Sequence, residues 1–352
     1  MHLHVVAGSL QPVVSLPYRR AELPDSGGHL AVRIETVSQI TGQLGDAIDA
    51  LIQEVTAIDG VPPVGEHKYL KIHNGADSAR AILAWDGDRL VGYAQLLLAE
   101  KLATAEVVVC PTSRRRGIGR QLLDTVEALA RKAGASELKL WAYGALPASE
   151  AIAHSRSIAL SRSLLQLERS LDDLPSTTLP TGYAIRTFDV RRDKAAWLAL
   201  HNAVFADHPE NGTWSSDDLE MRLRQPWFDA GDFLIAEREG EMVGFNWLKR
   251  VPEAPPERPE GEIYIIGVSY SERGRGLGRA LALLGLHHLR AEGMKSCTLF
   301  VEADNASALA LYRSLGFSTR HTHRCYSVPL TAASVAPIES TVTSAGLCPS
   351  SA

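Results

Sequence analysis

Apolar positions along the chain change period in an order that occurs twice. In the first half, AIDALIQEV (47–55) places Ala47, Ile48, Leu51, Ile52 and Val55 at helical spacing. Two strand-like runs follow, AILAWDG and RLVGYAQLLL, around the turn-forming DGD. A third run, AEVVV (105–109), leads through RRRGIG into a helix over LLDTVEALARKAG. Ile118, Leu122, Val126 and Leu129 fall on one face of that helix, and Gly134 is placed to end it. The strand LKLWAY closes the series.

The second half repeats it. Helices are predicted over AAWLALHNAVF and SSDDLEMRLRQ, and strands over FLIAERE and MVGFNWLKR. EIYIIGV (262–268) then leads through RGRGLG into the helix ALALLGLHHLRAEG, with Leu277, Leu281 and Leu284 on one face. The strand SCTLFVEAD, the helix NASALALYRSLGF and the strand HRCYSV complete it. Between the halves, LDDLPSTTLPTG has the prolines and small polar residues of a linker. The chain therefore reads as an internally duplicated α+β unit: residues 31–170, a linker at 171–182, and residues 183–330. Residues 1–30 and 331–352, rich in small polar residues, are expected to be disordered extensions.

The repeated turn carries the first chemical signal. Glycines between a strand and a helix let the backbone approach a ligand, while the helix N-terminus presents N–H groups and about half a positive charge. Neighbouring arginines, at 114–116 and at 273, 275 and 279, can add ionic contacts to phosphate oxygens. No Lys-Ser/Thr pair completes a Walker loop, and Gly274, Gly276 and Gly278 do not give the dinucleotide spacing. Both copies instead fit [QR]-x-x-G-x-[GA], as Arg114-x-x-Gly117-x-Gly119 and Arg273-x-x-Gly276-x-Gly278. This pattern resembles the acetyl-CoA loop of the GNAT N-acetyltransferases, and NASALALYRSLGF resembles a second signature of that family. The resemblance implies an α+β fold of two tandem GNAT (acyl-CoA N-acyltransferase) domains, each a mixed, mostly antiparallel sheet flanked by helices.

Acetyl transfer to an amine needs a base for the ammonium, N–H donors for the developing oxyanion, and an acid for the leaving thiolate. In the second half, Glu262 is the candidate base and Tyr312 the candidate acid, with backbone N–H groups of Ile266, Gly267 and Val268 as oxyanion donors. Strict alternation would put Glu262, Tyr264, Ile266 and Val268 on one side, with Glu262 roughly 13 Å from Ile266, so the base would act through water. The first half has Glu106 ahead of VVV but no Asn-opened helix and no Tyr before Gly-Phe. It is expected to hold CoA at most, without catalysing.

Over about 35–328 the chain further resembles the mycothiol synthase family, tandem GNAT enzymes that acetylate the cysteinyl amine of Cys-GlcN-Ins in the last step of mycothiol formation. The motifs are DGVPPVGEH, EVVVCPTSRRRGIG, LWAYGALPASEA, VFADHPENGTW, QPWFD, GFNWLKR, GEIYIIGV and ADNASALALYRSLGF. The resemblance implies substrate contacts at Glu66, Glu210, Lys249 and Glu262. Phe300 stands where the family has a substrate-side tyrosine, so a hydroxyl contact is lost or replaced there. The active CoA site would comprise Ile266, Gly267, Val268, Arg273, Gly274, Arg275, Gly276, Leu277, Gly278, Arg279, Asn305, Ala306, Ser307, Ala308, Leu309 and Ala310. A second CoA site would use Val107, Val108, Val109, Arg115, Arg116, Gly117, Ile118, Gly119 and Arg120. Read without the resemblance, Glu66 and Glu210 would pass as surface carboxylates and Lys249 as a strand-edge lysine.

Composition narrows the rest. A formal charge of -5 gives no electrostatic case for nucleic acid. Cys110, Cys297, Cys325 and Cys348 show no pairing or metal-like spacing and read as reduced thiols of a cytoplasmic protein, with Cys297 in the core. No apolar run reaches membrane-spanning length, and no basic segment with a long apolar core opens the chain. The histidines are scattered, so no metal is expected. A monomer acting on a small amine is the reading, with acetyl-CoA as co-substrate. Another small amine as acceptor, or an acetyl-CoA sensor without turnover, are the alternatives.

Overall fold

A computed structural model of the protein describes residues 32–330, apart from residues 41, 74–76, 207–213 and 252–253. The two terminal extensions and Cys348 lie outside the described residues, as does Glu210. The first half runs β1 (Arg33–Val37), α1 (Gln43–Asp59), α2 (Glu66–His73), β2 (Ala79–Asp86), β3 (Arg89–Ala99), β4 (Leu102–Val109), α3 (Ile118–Lys132), β5 (Glu137–Ala142), α4 (Pro147–Ser155) and β6 (Ala159–Ser170). The second runs β7 (Tyr183–Thr187), α5 (Lys194–Val204), α6 (Ser216–Leu223), β8 (Phe233–Arg238), β9 (Glu241–Val251), β10 (Glu260–Val268), α7 (Leu277–Ala291), β11 (Ser296–Glu302), α8 (Ala306–Ser314) and β12 (Ser318–Pro329). The duplication read from the pattern is present element for element.

The halves do not keep separate sheets. The described strands form a single twelve-stranded sheet in the order β1-β2-β3-β4-β5-β12-β6-β11-β10-β9-β8-β7. The last strand of each half is exchanged: β6 pairs with β11, Gln166 opposite Phe300, and β12 pairs with β5, Cys325 opposite Trp141. The exchanged strands also pair with each other, His323 opposite Leu164. No strand is predicted at β6 because its buried residues, Leu164 and Leu167, are three apart, which mimics a helix. In a strand that spacing puts them on opposite faces, and each indeed enters a different apolar cluster.

In the second half, α7 and α8 cover one face over an aliphatic core that includes Leu281, Leu299 and Tyr312. On the other face α5 contributes to an aromatic core in which fully buried Trp197 touches Trp214, Phe233, Phe245 and Trp247. Such ring pairs add about 0.5–1.5 kcal/mol each beyond area burial. The predicted helix faces hold with two adjustments: Leu283, not Leu284, is among the buried residues of α7, and Leu129 of α3 is half-buried while Ala130 is buried. Cys297 is fully buried, as read, and burial pushes its thiol up, so it stays protonated.

Candidate active site

Each glycine-rich turn joins the sheet to a helix through a left-handed glycine. Gly117 (φ 83°) precedes α3 and Gly276 (φ 82°) precedes α7, a conformation that costs other residues about 1–2 kcal/mol. Neither helix has a side-chain cap, so the first N–H groups of each remain to be met by a ligand. The arginines divide. Arg114 holds Asp59 through two bonds of 2.9 and 2.6 Å, and Arg116 holds Asp86 at 2.7 Å. In the second copy Arg279 donates to Ser314 Oγ at 2.8 Å, and the Arg273 guanidinium stacks 3.5 Å from the Tyr270 ring centre. A cavity of about 860 Å³ lies beside the first loop, reaching Trp141, Tyr143 and α4. One of about 230 Å³ lies beside the second, bounded by Val268, Arg273, Ser307 and Leu311.

Both loop-bearing strands part from their parallel neighbours just before the turn. β10 pairs with β11 only as far as Ile263 opposite Leu299, and β4 with β5 only as far as Glu106 opposite Trp141. The edges at Ile266–Val268 and Val107–Val109 therefore have no strand partner on that side, which leaves room for an extended thioester arm. Helix α8, capped by Asn305 Oδ1 accepting from the Ala308 N–H at 3.1 Å, brings Tyr312 into the apolar cluster that holds Ile266 and Val268 of β10 and Leu299 of β11. Tyr312 is fully buried and its hydroxyl has no hydrogen-bond partner among the described residues. Burial, then nearby Cys297, pushes that hydroxyl up, so it stays a proton donor. Left-handed glycine, open strand edge and orphaned hydroxyl together fit acetyl-CoA.

The first half lacks both candidate proton carriers. Ala153 is the seventh residue of α4 as Tyr312 is of α8. Thr104 pairs with Leu97 and Lys139 as Glu262 pairs with Lys249 and Thr298. Glu106, two residues beyond Thr104 as Tyr264 is beyond Glu262, is the last residue of β4 to pair with β5, whereas β10 has already parted from β11 at Tyr264.

Across the sheet from α7 and α8 lies a buried polar face. Lys249 and Glu262 are cross-strand neighbours, fully buried and about 1% exposed. The Lys249 ammonium donates to Glu66 Oε1 at 2.9 Å, a residue 183 positions away, and lies 4.6 Å from the Trp227 ring centre. Tyr264 donates to Glu66 Oε2 at 2.7 Å and accepts from Arg222 Nε at 2.9 Å. Glu66 starts α2, which also sends Lys68 to Glu106 (2.7 Å) and Lys71 to Asp218 (2.6 Å). Burial favours the neutral Asp218 carboxyl, but Lys71 and the Ser215 N–H outweigh it and hold it down at about 2. Helix α2 of the first half is thus clamped onto the second.

One expectation is corrected. A β-bulge between Ile263 and Ile265 breaks the alternation of β10. Glu262 and Tyr264 keep the polar face, while Ile266 and Val268 turn into the aliphatic core with Tyr312. Candidate base and candidate acid therefore stand on opposite faces, and both can reach one thioester only if it threads between β10 and β11. Phe300 is buried on the Glu262 side, in a small cluster with Trp141, Leu164 and Cys325 at the exchanged strands. Glu66, Lys249, Glu262 and Phe300 are thus brought to one face. Tyr264, Arg222 and Lys68 join them without having been singled out, although Tyr264 is two residues from Glu262 and visible by alternation.

The acetyltransferase (GNAT) family profile matches residues 50–153 and 197–317, one stretch in each half. The chain is 42% identical over 292 residues to the mycothiol acetyltransferase of Thermobispora bispora, covering 82% of this chain and 97% of that one. It is 43% identical over 284 residues to that of Thermomonospora curvata, covering 80% and 92%. A tandem GNAT protein from the clavulanic acid biosynthesis pathway shares the fold with a TM-score of 0.64, at 19% identity over 86% of this chain and all of that one. A GCN5-related N-acetyltransferase from Sphaerobacter thermophilus does so at 0.61, with 20% identity over 84% and 96%. The fold and the twofold loop are those of an acetyl-CoA-dependent GNAT acetyltransferase. Within that class, the chain belongs to the mycothiol acetyltransferase family. Among the described residues no helix is long and apolar enough to cross a membrane, and no group of three His, Cys, Asp or Glu is placed to hold a metal.

Proposed function

We propose that the chain moves acetyl from acetyl-CoA to the cysteinyl amine of Cys-GlcN-Ins, giving mycothiol, in the cytoplasm and as a monomer. The observation that carries this reading is the buried carboxylate–ammonium set in which Glu262, on the strand that leads into the second acetyl-CoA loop, lies across from Lys249 of β9, itself paired to Glu66 of α2. Bound acetyl-CoA supplies an activated acyl group and a thiolate leaving group. Glu262 takes the proton of the acceptor ammonium through water. Backbone N–H groups of Ile266 to Val268 steady the oxyanion, and Tyr312, from the other face of the sheet, returns a proton to the thiolate. Glu66, with Glu210, accepts from the acceptor's ammonium and hydroxyls, and Lys249 donates to its oxygens. A low-dielectric setting strengthens each of these contacts.

The first loop and its cavity hold a second CoA without turnover on this reading, because Thr104 and Ala153 replace the two proton carriers. The test is CoA release from acetyl-CoA by the purified protein with Cys-GlcN-Ins and with a panel of other small amines. Fast release with Cys-GlcN-Ins alone is expected. Comparable release with an unrelated amine would overturn the acceptor assignment. Acetyl-CoA binding without release to any amine would replace the enzyme by a sensor.

A further inference from the structure

The polar face continues past Phe300 to the exchanged strands, where His323 of β12 lies about 1% exposed. Its Nδ1 accepts from the Gly144 backbone N–H at 3.0 Å, in the turn after β5 and 179 residues away. In the neutral ring that bond places the proton on Nε2. Nε2 is buried and has no hydrogen-bond partner among the described residues. Folded chains rarely leave a buried donor unmet without a use. Burial, then His321, lowers the imidazole to about 3, so near neutrality it is an uncharged N–H donor.

The surroundings are aromatic. The Phe300 ring centre lies 5.5 Å and the Tyr143 ring centre 5.0 Å from the imidazole, and Trp141 stacks on Tyr143 at 6.2 Å. The Tyr143 hydroxyl leans toward Glu106 at 3.4 Å. Ring faces beside one buried donor are the elements of a site for a cyclic polyol, whose C–H face packs on rings while a hydroxyl oxygen accepts. β12 is three strands from β10 in the sheet, roughly 14 Å at ordinary strand spacing, so a two-ring acceptor anchored by its amine near Glu262 reaches it.

We propose that His323 is a specificity-determining residue whose Nε2–H donates to a ring hydroxyl of the acceptor, which lies against Phe300 and Tyr143. This rests on the acceptor reading above. The exchanged strands would then form the polyol end of the site, and the β9–β10 hairpin its amine end.

The experiment compares the full protein with His323→Phe, which keeps the volume and removes the donor, and His323→Gln, which keeps an N–H near Nε2. For Cys-GlcN-Ins, His323→Phe is expected to raise KM tenfold or more, with kcat and the acetyl-CoA KM within about twofold. His323→Gln recovers most of the loss. Binding of GlcN-Ins, which has no reacting amine on cysteine, is measured separately by calorimetry and weakens at least tenfold in His323→Phe. In the unsubstituted protein, labelled with ¹⁵N histidine, GlcN-Ins shifts the His323 Nε2–H resonance. Unchanged GlcN-Ins affinity in His323→Phe, a parallel rise in acetyl-CoA KM, or an unmoved resonance each overturns the proposal. GlcN-Ins binding that depends on His323, without turnover of Cys-GlcN-Ins, sinks only the reaction. Turnover indifferent to His323 sinks only this inference.

Discussion

The two halves keep the same phosphate loop and differ in what surrounds it. Gly117 and Gly276 adopt the same left-handed conformation within one degree of φ, and both loop-bearing strands part from their parallel neighbours before the turn, after Glu106 in the first half and after Ile263 in the second. Beyond that, Ala153 occupies in the first half the position of Tyr312, and Thr104 that of Glu262. The polar network differs as well. Tyr264, two residues after Glu262, is tied to Glu66 of the first half, while Glu106, two residues after Thr104, is tied to Lys68 within its own half. On the proposed reading, a duplicated acyl-CoA scaffold retains the backbone features of the loop while losing the side chains that move protons, so binding and turnover would rest on different residues.

The strongest test of this asymmetry is kinetic. Glu262→Gln and Tyr312→Phe are each expected to lower kcat by about 10²–10⁴ in a CoA-release assay. Thr104→Ala in the other half should leave it within twofold. Equal losses from both halves would end the assignment of chemistry to one of them. Next in size is the clamp between the halves. Lys249→Met or Glu66→Gln leaves a buried group without its ionic partner and should cost about 3–5 kcal/mol in chemical denaturation. The double substitution should regain much of that, and additive losses would show that the pair is not coupled.

A smaller effect separates loop from chemistry. Gly117→Ala and Gly276→Ala force alanine into a left-handed turn, so each should lower stability by about 1–2 kcal/mol. Only Gly276→Ala should raise the acetyl-CoA KM in turnover. The effect that is smallest near neutral pH is pH dependence, read from two histidines of opposite sign. The Asp232 carboxylate raises His288, so its contribution is complete below about pH 6.5 and is lost as pH rises through the folded value. Burial lowers His323 to about 3, so the native state refuses a proton that the unfolded chain takes up. Its contribution is complete above about pH 6.5 and is lost as pH falls toward 3. Denaturation across pH should show His288→Gln flattening the neutral limb and His323→Phe the acid limb.

Much of this was legible in the sequence because the signals are local. Gly276 and Gly117 announce a turn that only glycine makes cheaply, Asn305 announces the start of α8, and Tyr312 follows at a fixed offset on that helix. Glu262 was visible as a carboxylate in an otherwise apolar strand. What escaped depends on distant partners. The bulge at Ile263 and Ile265 turns Ile266 away from Glu262, and nothing in EIYIIGV marks it. Lys249 reads as an edge lysine until Glu66 is brought to it from the other half. His323 reads as one scattered histidine until Gly144 meets it across the exchanged strands.

That exchange also bears on how the protein is made. β5 belongs to the half that leaves the ribosome first, yet its neighbour β12 is the last strand of the second half and ends at Pro329. Until then the first half carries an open strand edge, the kind of surface that recruits other chains. The half proposed not to turn over is therefore the one that waits longest for its last strand neighbour, and a chain cut in the linker would lack β12 beside β5.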